Sequence, residues 1–225
     1  MADRTGPDPD PSVPVPGPTG SRRSWWQRLV AGPVDPATGL QWSGLAAAAE
    51  RRGWPMLDED PTLAPLLADA PLRLTAEHRA APVVRGRSGT WDMLACEVRY
   101  LMPRGELSLA QYAVTALPVP LPLPALRISP RRFLSHASTG LLVVPTGAED
   151  FDSRWRVLAS QDSPEVRGLI GPELQAALLD GPDVDEVWTA AGHLAASRAD
   201  GHHDALIDQH ASLLTAAMTG LQRAL

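Results

Sequence analysis

Between Thr90 and Leu101 the chain alternates. Leu94, Cys96, Val98 and Tyr100 take one parity, and Met93, Ala95, Glu97 and Arg99 the other. A period of two is what a strand requires, because successive side chains point to opposite faces. With Ala81–Arg85 before it and Gly86-Arg87-Ser88-Gly89 between, the stretch predicts a β-hairpin. A third strand is expected over Leu109–Leu117, and short ones over Leu126–Ser129 and Gly140–Val144. The clearest alternation is Phe151–Val157, where Phe151, Ser153, Trp155 and Val157 fall on one face and Asp152, Arg154 and Arg156 on the other. Asp185–Ala190 and His193–Arg198 form a last predicted hairpin around Ala191-Gly192.

Elsewhere the period lengthens towards that of a helix. Leu45, Ala48, Ala49 and Arg52 recur at helical spacing within Leu40–Arg52, and Gly53 stands where a C-terminal cap belongs. Asp58–Pro71 is acidic and broken by proline, with at most a helical turn at Leu63–Leu67. Asp162-Ser163-Pro164-Glu165 combines a capping oxygen, a proline where no N–H is needed and an acid at the positive end of the helix dipole. Gly171-Pro172 breaks that helix, and Asp180-Gly181-Pro182 stops its continuation. Asp200-Gly201 is read as opening a C-terminal helix over His202–Arg223. Its apolar stripe is Leu206, His210, Leu213, Leu214, Ala217 and Leu221. The succession predicts an α+β fold: a mainly antiparallel sheet with flanking helices and the C-terminal helix packed across it.

Composition narrows the function classes. Met1–Ser21 is rich in Pro, Gly and Asp with little to bury, and is read as a disordered tail; residues 22–225 are read as a single α+β domain. The N-terminus lacks the apolar core of a signal peptide, and Tyr112–Leu126, the most apolar run, is interrupted by Pro118, Pro120, Pro122 and Pro124. No transmembrane segment is expected, and the protein is read as cytoplasmic. A net charge of -6 opposes binding to a nucleic-acid backbone. All 20 basic residues are arginine, and the single cysteine, Cys96, cannot close an intrachain disulfide.

Several phrases carry a resemblance. They are Glu50-Arg51-Arg52-Gly53-Trp54, Arg85-Gly86-Arg87, Tyr112–Ser129, Phe151–Val157 with Pro172–Leu179, and Val187–Gly201. Over about residues 40–220 the chain resembles an actinobacterial protein family of unknown function. The resemblance implies that the body is one whole domain. It supplies no catalytic residues to carry over, and some members of that family are membrane-associated.

Candidate chemistry is sparse. His203 and His210, with Asp204, are the metal candidates. Seven helical residues would separate the two rings by about 10 Å along the axis, too far for one ion unaided. Ser135, His136 and Ser138 share a predicted loop, without the strand–turn–helix context of a nucleophile elbow. Cys96, in mid-strand among apolar neighbours, is read as a buried inert thiol. Arg127, Arg131 and Arg132 with Phe133 are read as a solvated basic edge, and Pro118–Pro124 as a rigid polyproline connector. Trp25, Trp26 and Arg28 are the candidate contact with a partner or a membrane surface; the plainer reading is a lid over the domain. The chain is thus expected to be a non-enzymatic protein-binding or assembly module with an unknown protein partner and no cofactor. The alternative is a hydrolase or metal-dependent enzyme built on the loop and C-terminal histidines.

Overall fold

The computed structural model describes residues 44–102, 107–131, 140–199, 201–203 and 205–225. Nine strands form one sheet: β1 (Met56–Leu57), β2 (His78–Ser88), β3 (Trp91–Leu101), β4 (Leu107–Pro118), β5 (Leu126–Pro130), β6 (Leu142–Val143), β7 (Trp155–Ala159), β8 (Asp185–Ala190) and β9 (His193–Ala199). Their order is β1-β2-β3-β4-β9-β8-β5-β7-β6, and every neighbouring pair is antiparallel. Both edges are two-residue strands, too short to template pairing with another chain over any length. The helices are α1 (Gly44–Arg52), α2 (Ala64–Ala68), α3 (Glu149–Arg154), α4 (Pro164–Leu169), α5 (Pro172–Asp180) and α6 (Leu206–Ala224). The α+β expectation holds, with α6 packed on the sheet.

The sheet is covered on both faces where β3 runs. Leu94, Cys96 and Val98 meet Leu63 and Leu66 of the Pro61–Ala68 turn on one face, and Ala95 meets Leu45, Ala48 and Ile207 on the other. Alternation therefore fixes the parity of each β3 side chain, while burial runs unbroken from Met93 to Val98. The expected apolar stripe of α6 is buried at every position, Leu206 through Leu221. Helices α4 and α6 touch backbone to backbone: a Cβ on Gly220 would stand 2.3 Å from the Gly168 carbonyl oxygen. Only glycine permits that approach.

Four expectations are corrected. Phe151–Arg154 is not strand but the end of α3, and β7 begins at Trp155. Phe151 and Trp155 satisfy a four-residue helical spacing as well as a two-residue one, and their rings stack with centroids 6.3 Å apart. Asp152 decides between the two. Its carboxylate accepts from the backbone N–H groups of Thr146 and Gly147, each at 3.1 Å, and pins a helical turn there while Ser153 faces solvent. The first hairpin turns later than expected, at Gly89-Thr90 with Ser88 opposite Trp91. Gly86 lies inside β2 because the Trp54 ring covers it, so close that a Cβ would stand 2.1 Å from the indole. The C-terminal helix begins at Leu206 rather than His202, because His202 turns inward against the interior strand β3. Arg127 is no solvated edge: it is buried and forms a two-pronged pair with Glu186, at 3.1 and 3.2 Å. Arg132, Phe133, Ser135, His136 and Ser138 lie outside the described residues, as do the Met1–Ser21 tail, Trp25, Trp26 and Arg28.

Candidate functional site

One register row holds two buried carboxylates and a half-buried arginine. Glu97 of β3 opposes Ala113 of β4, Ala113 opposes Arg198 of β9, and Arg198 opposes Asp185 of β8. All four lie on the sheet face under the start of α6. Arg198 grips Asp185 with both prongs, Nε–Oδ1 at 2.6 Å and Nη2–Oδ2 at 2.8 Å, and Gln209 donates to the same carboxylate at 3.0 Å. Such a bidentate ion pair carries direction as well as charge. Burial alone would raise the Asp185 carboxyl, but hydrogen bonds from His210 and Arg198 outweigh it and hold the group below the usual carboxylate range.

His210 completes an Asp–His–hydroxyl array. Its Nε2 lies 3.3 Å from Asp185 Oδ1, and its Nδ1 lies 3.1 Å from Thr115 Oγ1. Burial lowers the imidazole pKa despite the pull of Asp185, so the ring is neutral at pH 7, with Nε2–H donating to Asp185 and Nδ1 accepting from Thr115. A nucleophilic hydroxyl, a base and an orienting acid stand here in the sequence of contacts that hydrolysis uses. Yet Thr115, His210 and Asp185 are each at most 1% exposed, Thr115 sits in mid-strand under α6, and none of the three lines either of the two surface hollows described below. A substrate carbonyl has no approach, and the array works as an internal tie between α6 and the sheet.

The remaining candidates do not converge. His203 precedes the helix instead of sharing a face with His210, and accepts a hydrogen bond from Arg198 Nη1 at 3.3 Å. Asp204 lies outside the described residues, and among those described no cluster of three or more His, Cys, Asp and Glu could hold a metal ion. His202 instead approaches His210, ring centroids 6.5 Å apart, with Nε2 3.2 Å from the Cys96 carbonyl oxygen. Burial drives its pKa down to about 3. The Cys96 thiol is pushed up to about 12 by burial and by the charges of Glu97 and Asp60, so it is inert as a nucleophile. Glu97 is fully buried. Arg99 Nε donates to its Oε2 at 3.0 Å and Arg99 Nη2 at 2.5 Å, while Oε1 accepts no hydrogen bond among the described residues. Glu97, Asp185, Arg198 and Thr115 were not singled out from the sequence. The signal for one pair was present: a two-residue turn at Ala191-Gly192 places Asp185 directly across from Arg198.

The chain is similar in structure to a solved protein. The crystal structure of the mycobacterial trehalose monomycolate transport factor A, TtfA, superposes with a TM-score of 0.58 over 80% of this chain and 92% of that one, at 13% sequence identity. The likeness is one of fold. No protein-family model matches the chain, and no curated protein matches it. No described helix is long and apolar enough to cross a membrane.

Two hollows stand out on the surface of the described residues. One, of about 480 Å3, lies against Arg85, Arg87, Asp92 and His193 near the β2–β3 turn. Its arginines are committed, Arg85 to Asp60 at 2.6 Å and Arg87 to Asp92 at 3.1 Å. The other, about 740 Å3, runs between that turn and the solvent side of α6.

Proposed function

We propose that this protein is a cytoplasmic, non-enzymatic binding module that docks on a protein partner in the transport of a trehalose-linked lipid. The observation that carries the reading is the fold likeness to TtfA, which spans 92% of that chain, so that nearly the whole of one domain is laid over the other. The resemblance to an actinobacterial family, some of whose members are membrane-associated, supports the same direction. So does the inward, sealed placement of the Asp185–His210–Thr115 array, which ties the domain together instead of facing a substrate. Fold alone does not carry function, so the reading stands on its test. Tagged full-length protein, recovered from its host in mild salt, should retain a stoichiometric partner that itself spans the membrane. Deleting the gene should hold the trehalose ester on the inner side of that membrane. Recovery without such a partner, together with unchanged distribution of the ester, would overturn the proposal.

A further inference from the structure

The groove between the β2–β3 turn and α6 has a distinctive chemistry. Trp91 forms part of one wall, half-buried against the core. Ser88 and Thr90 flank it, and Ser212, Thr215 and Thr219 face it from α6. The hydroxyls of Ser88, Thr90, Ser212 and Thr215 make no side-chain hydrogen bond among the described residues, whereas Thr219 donates to the Thr215 carbonyl at 2.9 Å. A hydroxyl both donates and accepts, so a wall of them suits a ligand whose own groups do both. The charges at the groove are already neutralised from outside it: Asp208 is paired with Arg52 at 2.6 Å and Glu173 with Arg223. Among the described residues no arginine or histidine lines the groove, so none of them offers a cation to a phosphate or a carboxylate. A helical peptide would want an apolar floor at regular spacing, and hydroxyls interrupt it here. What fits is an uncharged, hydroxyl-rich molecule with one apolar face to lay against an indole, held in an open surface groove of about 740 Å3.

We infer that this groove binds a neutral disaccharide, either free or as the headgroup of a glycolipid. The inference deepens the proposed role in trehalose-lipid transport and rests on that reading for its biological setting, although its chemistry is read from the groove. Trp91 supplies the stacking surface, and Ser212 and Thr215 the hydrogen bonds that orient the ring.

The test is saturation-transfer NMR on the full-length protein with glucose, maltose and trehalose, and with a trehalose monoester in detergent micelles against empty micelles. Signal should pass from protein to pyranose protons, with disaccharide dissociation constants in the millimolar range or tighter. Trp91→Ala should weaken binding at least tenfold. Ser212→Trp, at an exposed helix position, fills the groove without touching the core and should do the same if Trp91→Ala fails to fold. Equal affinity for trehalose and its monoester identifies the sugar itself as the ligand, and tenfold preference for the monoester identifies the glycolipid; either supports the groove. No transfer to any sugar, or transfer undiminished in a folded variant, overturns it. Loss of sugar binding with membrane-partner capture intact would remove the groove and leave the docking role standing. The converse would do the reverse.

Discussion

Acidification should unlock the histidine pair before it touches most of the sheet. His202 titrates at about 3 when folded and near 6.5 when unfolded, because burial disfavours its charged form. A depressed folded pKa means that the unfolded chain binds more protons at mildly acid pH. The stability is therefore complete above pH 6.5 and drains away as pH falls towards 3. Between pH 7 and pH 5 linkage gives a loss of about 2 kcal/mol from this one residue. His210 moves in the same direction and adds to it. Asp185 joins only in the carboxylate range, since its pKa is also lowered. Glu186 acts in the opposite direction, because burial raises its carboxyl against the pull of Arg127. With a urea dependence on the order of 2 kcal/mol per molar, the midpoint should fall by about 1 M between pH 7 and pH 5. His202→Gln keeps a donor for the Cys96 carbonyl and removes the titration. It should cost stability at pH 7 and cut the acid-induced loss by about 2 kcal/mol. Urea curves at both pH values, followed by far-UV circular dichroism, measure this. An unchanged pH slope in His202→Gln would refute the assignment of the acid loss to that ring.

Three further outcomes follow from the packing. Asp185→Ala should destabilise by about 3–5 kcal/mol, because it strands Arg198 and His210 without their shared acceptor. Adding Arg198→Ala should cost far less than it does alone, and additive losses in that double-mutant cycle would deny the pairing. Phe151→Ala should cost about 3–5 kcal/mol while Ser153→Ala stays within about 0.5 kcal/mol; the strand reading, with both residues on one face, requires Ser153 to matter too. Gly220→Ala ordinarily stabilises a helix by up to about 1 kcal/mol, but here the new Cβ meets a carbonyl oxygen at 2.3 Å and should destabilise by about 1–3 kcal/mol in a thermal melt.

Elements whose ends carry their own chemistry were legible in the sequence. Ser163 caps α4 through the N–H of Val166, Gly171-Pro172 separates α4 from α5, and Ala191-Gly192 turns β8 into β9 with both residues at positive φ. Where the deciding contact lay elsewhere in the chain, pattern was insufficient. Phe151 and Trp155 fit either period, and the Thr146–Asp152 hydrogen bonds settle the matter. Gly86 looked like part of a turn because nothing local reveals the Trp54 ring that rests on it.

The candidate site was hidden for a different reason. Alternation identifies a face but not what covers it, and nothing in the parity of Glu97 tells that α1 and α6 close over its side of β3. Once a face is sealed, its polar residues must find partners on it: Arg198 and Asp185 pair across β8 and β9, and Glu97 takes Arg99 of its own strand. The groove presents the opposite problem. Asp208, Ser212, Thr215 and Thr219 recur along α6 at spacings of 4, 3 and 4, a second stripe beside the apolar one. In sequence such a stripe is identical to an ordinary solvated helix face. Only the arrival of Trp91 from a turn more than a hundred residues earlier makes it one wall of an open groove. A helix can thus carry two stripes with separate tasks, and the sequence discloses only the apolar one, because burial has a fixed chemical signature and recognition does not.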